Sequence, residues 1–313
     1  MFPDLAHFAL AIFQAILVLL AAPLISVMSR VIRAKMHTRQ GPGLLQDYRD
    51  LVKLMQRQDV WPPDSGWVFR AMPVILMATF LVISTGIPMF TRFSPNSVCD
   101  DLIATIYLFA LARFFLGLSG IDSGSSYAGI GSSRELTVGV LVEPTMLLSL
   151  FVAALLAGST DLGTISSAIA TGHCHSIMAA VISGVAFAFA IYVELGVLPY
   201  DMAEAEQELQ EGPLTEYSGR SLAILKWSLA LKQTIVVGWF IGLFLPFGAA
   251  VSLSPADLAP GFLAFVVKLL VIFAVVGVVS NSVARTRFRF MPRHSWAGVG
   301  VASLAFVFYL VGL

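Results

Sequence analysis

The chain has 313 residues, of which 58% are hydrophobic and 12% charged. Soluble domains carry about 25% charged residues, so a water-soluble globule of this length is excluded: too much apolar surface would face water. The 19 basic and 19 acidic residues cancel, and net charge therefore gives no ground for a nucleic-acid partner.

The first residues, Met1-Phe2-Pro3-Asp4, lack the basic start of a secretory signal, and the apolar run behind them is long enough to be a retained span. Apolar runs fall at 6–28, 71–90, 102–120, 136–158, 177–198, 229–247, 262–280 and 297–312. Each has the length of a membrane-spanning helix and exceeds that of a barrel strand. This predicts an all-α integral membrane protein with eight transmembrane helices. No internal repeat divides it, so residues 1–313 read as one integral membrane domain. The basic residues sort by loop. The odd loops hold fifteen, from Arg30, Arg33, Lys35, Arg39, Arg49, Lys53, Arg57 and Arg70 through Arg134, Arg220 and Lys226 to Arg285, Arg287, Arg289 and Arg293. The even loops hold Arg92 alone. That asymmetry places the odd loops in the cytoplasm and both termini outside. In the first loop, 29–69, Leu44, Tyr48, Leu51, Leu54 and Met55 recur at helical spacing among Asp47, Arg49, Asp50 and Lys53. The pattern predicts an amphipathic helix at the interface or against a partner.

Five charges interrupt the apolar runs: Arg113, Glu143, Glu194, Lys232 and Lys268. A charge near the bilayer centre costs at least about 2.5–3.5 kcal/mol on insertion scales, so each needs a partner, water or a function. Two readings stand for them: simple pairing, such as Arg113 with a glutamate, or a polar path for protons through the bundle. Between Glu194 and Glu216 lie seven carboxylates, those of Glu194, Asp201, Glu204, Glu206, Glu208, Glu211 and Glu216, with no lysine or arginine before Arg220. Asp201, Glu204, Glu208 and Glu211 are spaced to share one face of a helix. Crowding is expected to raise some of their pKa values, making a proton antenna or a charge switch. The basic residues of the first and seventh loops are the expected counter-charges.

The two cysteines, Cys99 and Cys174, form no CxxC pair, so neither an iron–sulfur cluster nor a structural zinc is expected here. Both lie in loops expected outside, where a disulfide can form. His173 and His175 flank Cys174 but have no fourth ligand near them in sequence, and they read as an ordinary polar loop. No glycine-rich phosphate loop is present. The arginines of the seventh loop enforce orientation, meet lipid phosphates or contact a soluble partner.

The stretch from Glu194 to Leu209, Glu-Leu-Gly-Val-Leu-Pro-Tyr-Asp-Met-Ala-Glu-Ala-Glu-Gln-Glu-Leu, followed by Glu216-Tyr217-Ser218-Gly219, resembles the signature of the subunit-one family of respiratory complex I. Gly41-Pro42-Gly43-Leu44-Leu45-Gln46-Asp47, with Lys53-Leu54, resembles the same family's second signature. The family usually places an arginine and a phenylalanine where this chain has Val197 and Tyr200. That departure resembles the branch found in membrane-bound nickel–iron hydrogenases of the formate hydrogenlyase and hydrogenase-four type. The resemblance implies a bacterial inner-membrane subunit, non-catalytic by itself, that holds no cofactor. Its cytoplasmic hydrogenase and iron–sulfur partners would carry nickel–iron and iron–sulfur centres, and antiporter-like membrane subunits would lie beside it. It further implies a proton path and acidic loop over Glu143, Glu194, Asp201, Glu204, Glu206, Glu208, Glu211 and Glu216. Lys232 and Lys268 join that path as the lysines among the in-span charges. Docking of the redox arm would fall on Arg39, Gly41, Pro42, Gln46, Asp47, Lys53 and Tyr217. Two other readings are a quinone-binding subunit of an NADH dehydrogenase and a stand-alone secondary transporter. The transporter class often carries inverted repeats, which are not seen here.

Overall fold

In the computed structural model, residues 5–172, 176–202 and 206–312 are described. Cys174 with its flanking histidines, Glu204, and the side chain of Glu206 lie outside that set. Every apolar run is a helix, as a segment out of water must satisfy its backbone internally. In chain order these are α1 (Leu5–Met36), the short α2 (Gln46–Met55), α3 (Trp67–Gly86), α4 (Leu102–Asp122), α5 (Ser126–Ala157) and the short α6 (Leu162–Thr171). They are followed by α7 (Ile177–Glu194), a single turn α8 (Glu206–Leu209), α9 (Gly219–Phe244), α10 (Pro255–Ser282) and α11 (Met291–Val311). Eight of them are long and apolar enough to cross a membrane. Their connections alternate between a basic end, holding the odd loops, and the opposite end with Arg92.

The helices outrun the apolar runs where polar residues have protein to pack against. α5 begins at Ser126, well before its apolar run, because its first turns lie on the turn Gly212–Leu214. A Cβ on Gly131 would stand 2.6 Å from Gly212 Cα, so the two backbones touch only because Gly131 has no side chain. α1 continues to Met36, and Arg33 and Lys35 in its last turn complement the helix dipole. The short α6 is not among the elements the apolar runs predict. It lies at the opposite end, where the Asp100 carboxylate accepts from the Gly163 N–H at 3.1 Å.

α2 is the predicted amphipathic helix, and it packs on α1 and α9 of its own chain. Leu51 is buried, while Leu44 precedes the helix and is exposed. Two mid-helix prolines explain several distant contacts. Pro23 has no N–H for the Leu19 carbonyl, and the Trp227 indole N–H on α9 donates to that carbonyl at 2.9 Å. The Tyr48 hydroxyl donates to the neighbouring Leu20 carbonyl. Pro73 likewise frees the Phe69 carbonyl, and the Tyr217 hydroxyl donates to it at 2.8 Å. Tyr217, expected to dock a partner, is instead buried and stacked on Phe69 at 4.0 Å, part of the scaffold behind the site. Around the bundle centre Trp239 stacks on Phe109 and meets Phe187 edge-on, each at 5.4 Å. α11 closes on α5 and α7 through Ser295, Gly298, Ala302 and Ala305, whose small side chains allow close approach.

Candidate functional site

Glu194 is the last residue of α7, and Gly196, at φ +64°, turns the chain out of the helix just behind it. Its side chain is 7% exposed and forms an ion pair with Arg113 on α4. The other end of the Arg113 guanidinium donates from Nη1 to Glu143 on α5 at 2.6 Å. Lys232, on α9, places Nζ 3.3 Å from Glu194 Oε2 and 3.8 Å from Glu135 Oε1. Four helices thus bring five charges together: Arg113 and Lys232 against Glu135, Glu143 and Glu194. With all ionised, three carboxylates face two cations, and the cluster holds one negative charge in excess. One proton neutralises it.

The packing allows this on α5 because Glu135, Gly139 and Glu143 are spaced one turn apart on one face. A Cβ on Gly139 would stand 2.6 Å from Arg113 Cζ, so the guanidinium occupies the space a side chain would take. Glu135 falls just before an apolar run, beside Arg134, and so escapes a search for charges within the spans. The repeat of four from Glu135 through Gly139 to Glu143 is the sequence signal that finds it.

A cavity of about 70 Å³ lies between the cluster and the basic end. Arg113, Glu135, Glu194 and Lys232 line its inner part, and Tyr200, Asp201 and Pro213 its outer part. Asp201 pairs with Arg285 at 2.8 Å, and the loop carrying Arg285 is tied by the Thr286 N–H to the Pro199 carbonyl at 3.1 Å. The acidic segment is not one helical stripe. Among the described residues between Asp201 and Glu211 only Glu206–Leu209 is helical, and Gln210, at φ +55°, breaks the helix before Glu211. Its carboxylates go to separate partners: Glu208 to Arg134 at 2.7 Å and Glu211 to Lys226 at 3.1 Å. Of the expected counter-charges the seventh loop supplies Arg285, while Arg134 and Lys226 come from the third and fifth. Crowding does not raise Glu208; the hydrogen bond from Arg134, followed by its charge, holds that carboxyl below the usual range. Glu216 is half-buried beside Tyr217.

Lys268 stands apart from the cluster. Its ammonium donates to the Leu245 carbonyl at 2.6 Å and to the Phe247 carbonyl, where α9 ends at the opposite side. Among the docking residues, Asp47 pairs with Arg30, and Gln46 donates to Asp50 at 2.9 Å, both within the chain. Gly41 packs against α1, where a Cβ would stand 3.1 Å from Val31 Cα, and Pro42 is half-buried. Arg39 and Lys53 are exposed at the basic end. Val197 lines a second cavity, about 160 Å³, together with Arg30 and Arg33. Among the described residues no group of three or more His, Cys, Asp or Glu could hold a metal ion.

Residues 8–311 match the family model described as NADH dehydrogenase. The chain is 50% identical over 309 residues to hydrogenase-4 component C of Escherichia coli (strain K12), covering 99% of this chain and 97% of that protein. It is 47% identical over 294 residues to formate hydrogenlyase subunit 4 of the same organism, covering 94% and 96%. With an NADH-quinone oxidoreductase subunit of Syntrophotalea carbinolica it shares 30% over 295 residues, covering 89% and 87%. A chain of the membrane-bound sulfane sulfur reductase, an archaeal respiratory membrane complex, overlays with a TM-score of 0.84 at 19% identity. That overlay covers 97% of this chain and 99% of the other, and it shows a shared fold.

Proposed function

This chain belongs to the NADH dehydrogenase family, and from that premise we propose that it is the membrane anchor and proton-path subunit of a nickel–iron hydrogenase complex of the formate hydrogenlyase type. The supporting observation is the five-charge cluster of Arg113, Glu135, Glu143, Glu194 and Lys232, reached by a cavity from the basic end. The odd loops face the cytoplasm of an inner-membrane protein, and both termini face the periplasm. Arg39 and Lys53, with the arginines around Arg285, meet a soluble arm carrying the nickel–iron and iron–sulfur centres. Redox chemistry in that arm changes the charge near Asp201 and Arg285. A proton then moves through Tyr200 and the cavity water to Glu194 and Glu135, and Glu143 passes it laterally to antiporter-like membrane subunits.

A second reading, a quinone-binding subunit, is favoured by a cleft of about 560 Å³ between α1, α2 and α9 with Pro23 and Trp227 in its wall. Isolation of the assembly in mild detergent separates the two. A nickel-containing arm that evolves hydrogen is expected beside this chain; an NADH-oxidising arm with bound quinone would replace the hydrogenase reading by the second.

A further inference from the structure

Three prolines lie in the apolar depth of spanning helices, Pro23, Pro73 and Pro144, and each leaves the carbonyl four residues earlier without its helical N–H. Two of those carbonyls are satisfied within the chain. Trp227 reaches Leu19 at 2.9 Å and Tyr217 reaches Phe69 at 2.8 Å. The third belongs to Val140, and among the described residues no side chain donates to it. Val140 is the fifteenth of the 32 residues of α5, and it is 67% exposed on the flank of the bundle.

Beside it stands Glu143, whose side chain remains 30% exposed after its ion pair with Arg113. The rest of that flank is apolar. Leu147 and Phe151 continue the exposed face of α5, and Tyr107 and Phe114 form the exposed face of the adjoining α4. Hydrocarbon cannot donate a hydrogen bond, and backbone carbonyls at that depth are normally satisfied by protein or cavity water. Two acceptors thus sit side by side in the middle of an apolar face, and neither can pair with the other.

We infer that the α4–α5 flank is the seat of a transmembrane helix from another membrane subunit, which brings an N–H or O–H side-chain donor to Val140 and Glu143. The chemistry fixes the sign of the contact: a carbonyl and a carboxylate accept, so the incoming group donates. The one negative charge in excess in the cluster favours a partner that is neutral or cationic at this height. Val140, Pro144, Leu147 and Phe151 recur at the spacing of a helix–helix seam, which sets the incoming helix nearly parallel or antiparallel to α5. The inference rests on reading the chain as one membrane subunit among several and is independent of whether protons cross the cluster.

The test places the photo-crosslinking residue p-benzoylphenylalanine at Val140 in the intact complex in its membrane. The expected adduct is with a membrane-embedded subunit of the same complex, identified by mass spectrometry. Adducts with lipid alone, or with a water-soluble subunit, would overturn the inference. A second variant, Pro144→Ala, restores an N–H for the Val140 carbonyl and removes the acceptor. Retention of the crosslinked subunit through detergent purification is expected to drop about tenfold, while Pro73→Ala, whose freed carbonyl is met inside the chain, leaves retention unchanged. Equal retention in both variants would contradict a docking role for Val140. A coupling assay on the same preparations reads the proton path separately, so either reading can fail alone.

Discussion

Arg113→Met is expected to destabilise the protein by about 3–5 kcal/mol, the usual consequence of removing one partner from a buried ion pair. Methionine matches the arginine stem in length, so the loss is electrostatic rather than a packing void. Arg113 and Glu194 are only 8% and 7% exposed, so little solvent can replace the missing guanidinium. Three carboxylates would then face Lys232 alone, and the excess negative charge would rise from one to two. Thermal unfolding of the detergent-solubilised complex reads the effect. Arg113→Met/Glu194→Gln should recover much of the loss, because the second change removes the stranded charge. Strict additivity of the two substitutions would show that they do not share a network.

Gly139→Leu is expected to cost about 3 kcal/mol, at the upper end of overpacking effects. The new side chain would enter the space filled by the Arg113 guanidinium, whose Cζ lies 2.6 Å from the position of a Cβ. The arginine must swing away from Glu143, Glu194 or both, so the variant combines steric strain with a broken ion pair. Gly129 in the same helix has open space around it. Gly129→Ala should therefore be neutral or stabilise by up to about 1 kcal/mol, through the helix preference of alanine. Equal thermal stability of Gly139→Leu and Gly129→Ala would remove Gly139 from any role in seating Arg113.

The spans are legible in the sequence because hydropathy over about 20 residues is set by the bilayer itself. Their ends are less so. Whether Ser132 or Glu135 continues a helix depends on what packs beside it, and the Gly212–Leu214 turn that receives α5 lies far away in sequence. The in-span charges can be read as partners, and Arg113 does pair with glutamates, yet Lys268 shows that an in-span lysine can equally satisfy a helix end. The acidic segment misleads through its spacing, which assumes an unbroken helix, whereas Asp201 lies outside any helix and Gln210, at φ +55°, breaks the turn before Glu211. Tyr217 is conspicuous in the motif, but its purpose depends on Pro73, more than a hundred residues earlier, and on a carbonyl that no side-chain pattern records.

The most direct measurement is the number of protons taken up per hydrogen formed by the complex reconstituted in liposomes, compared between the unchanged protein and Glu194→Gln. Glutamine keeps the shape and one acceptor oxygen, enough for Arg113 or Lys232 but not both, and it cannot carry a proton. If the cluster is the proton path, hydrogen evolution persists while proton uptake into the membrane falls by about tenfold or more. An unchanged ratio in Glu194→Gln would contradict the path and leave the five charges as a structural clamp between the helices.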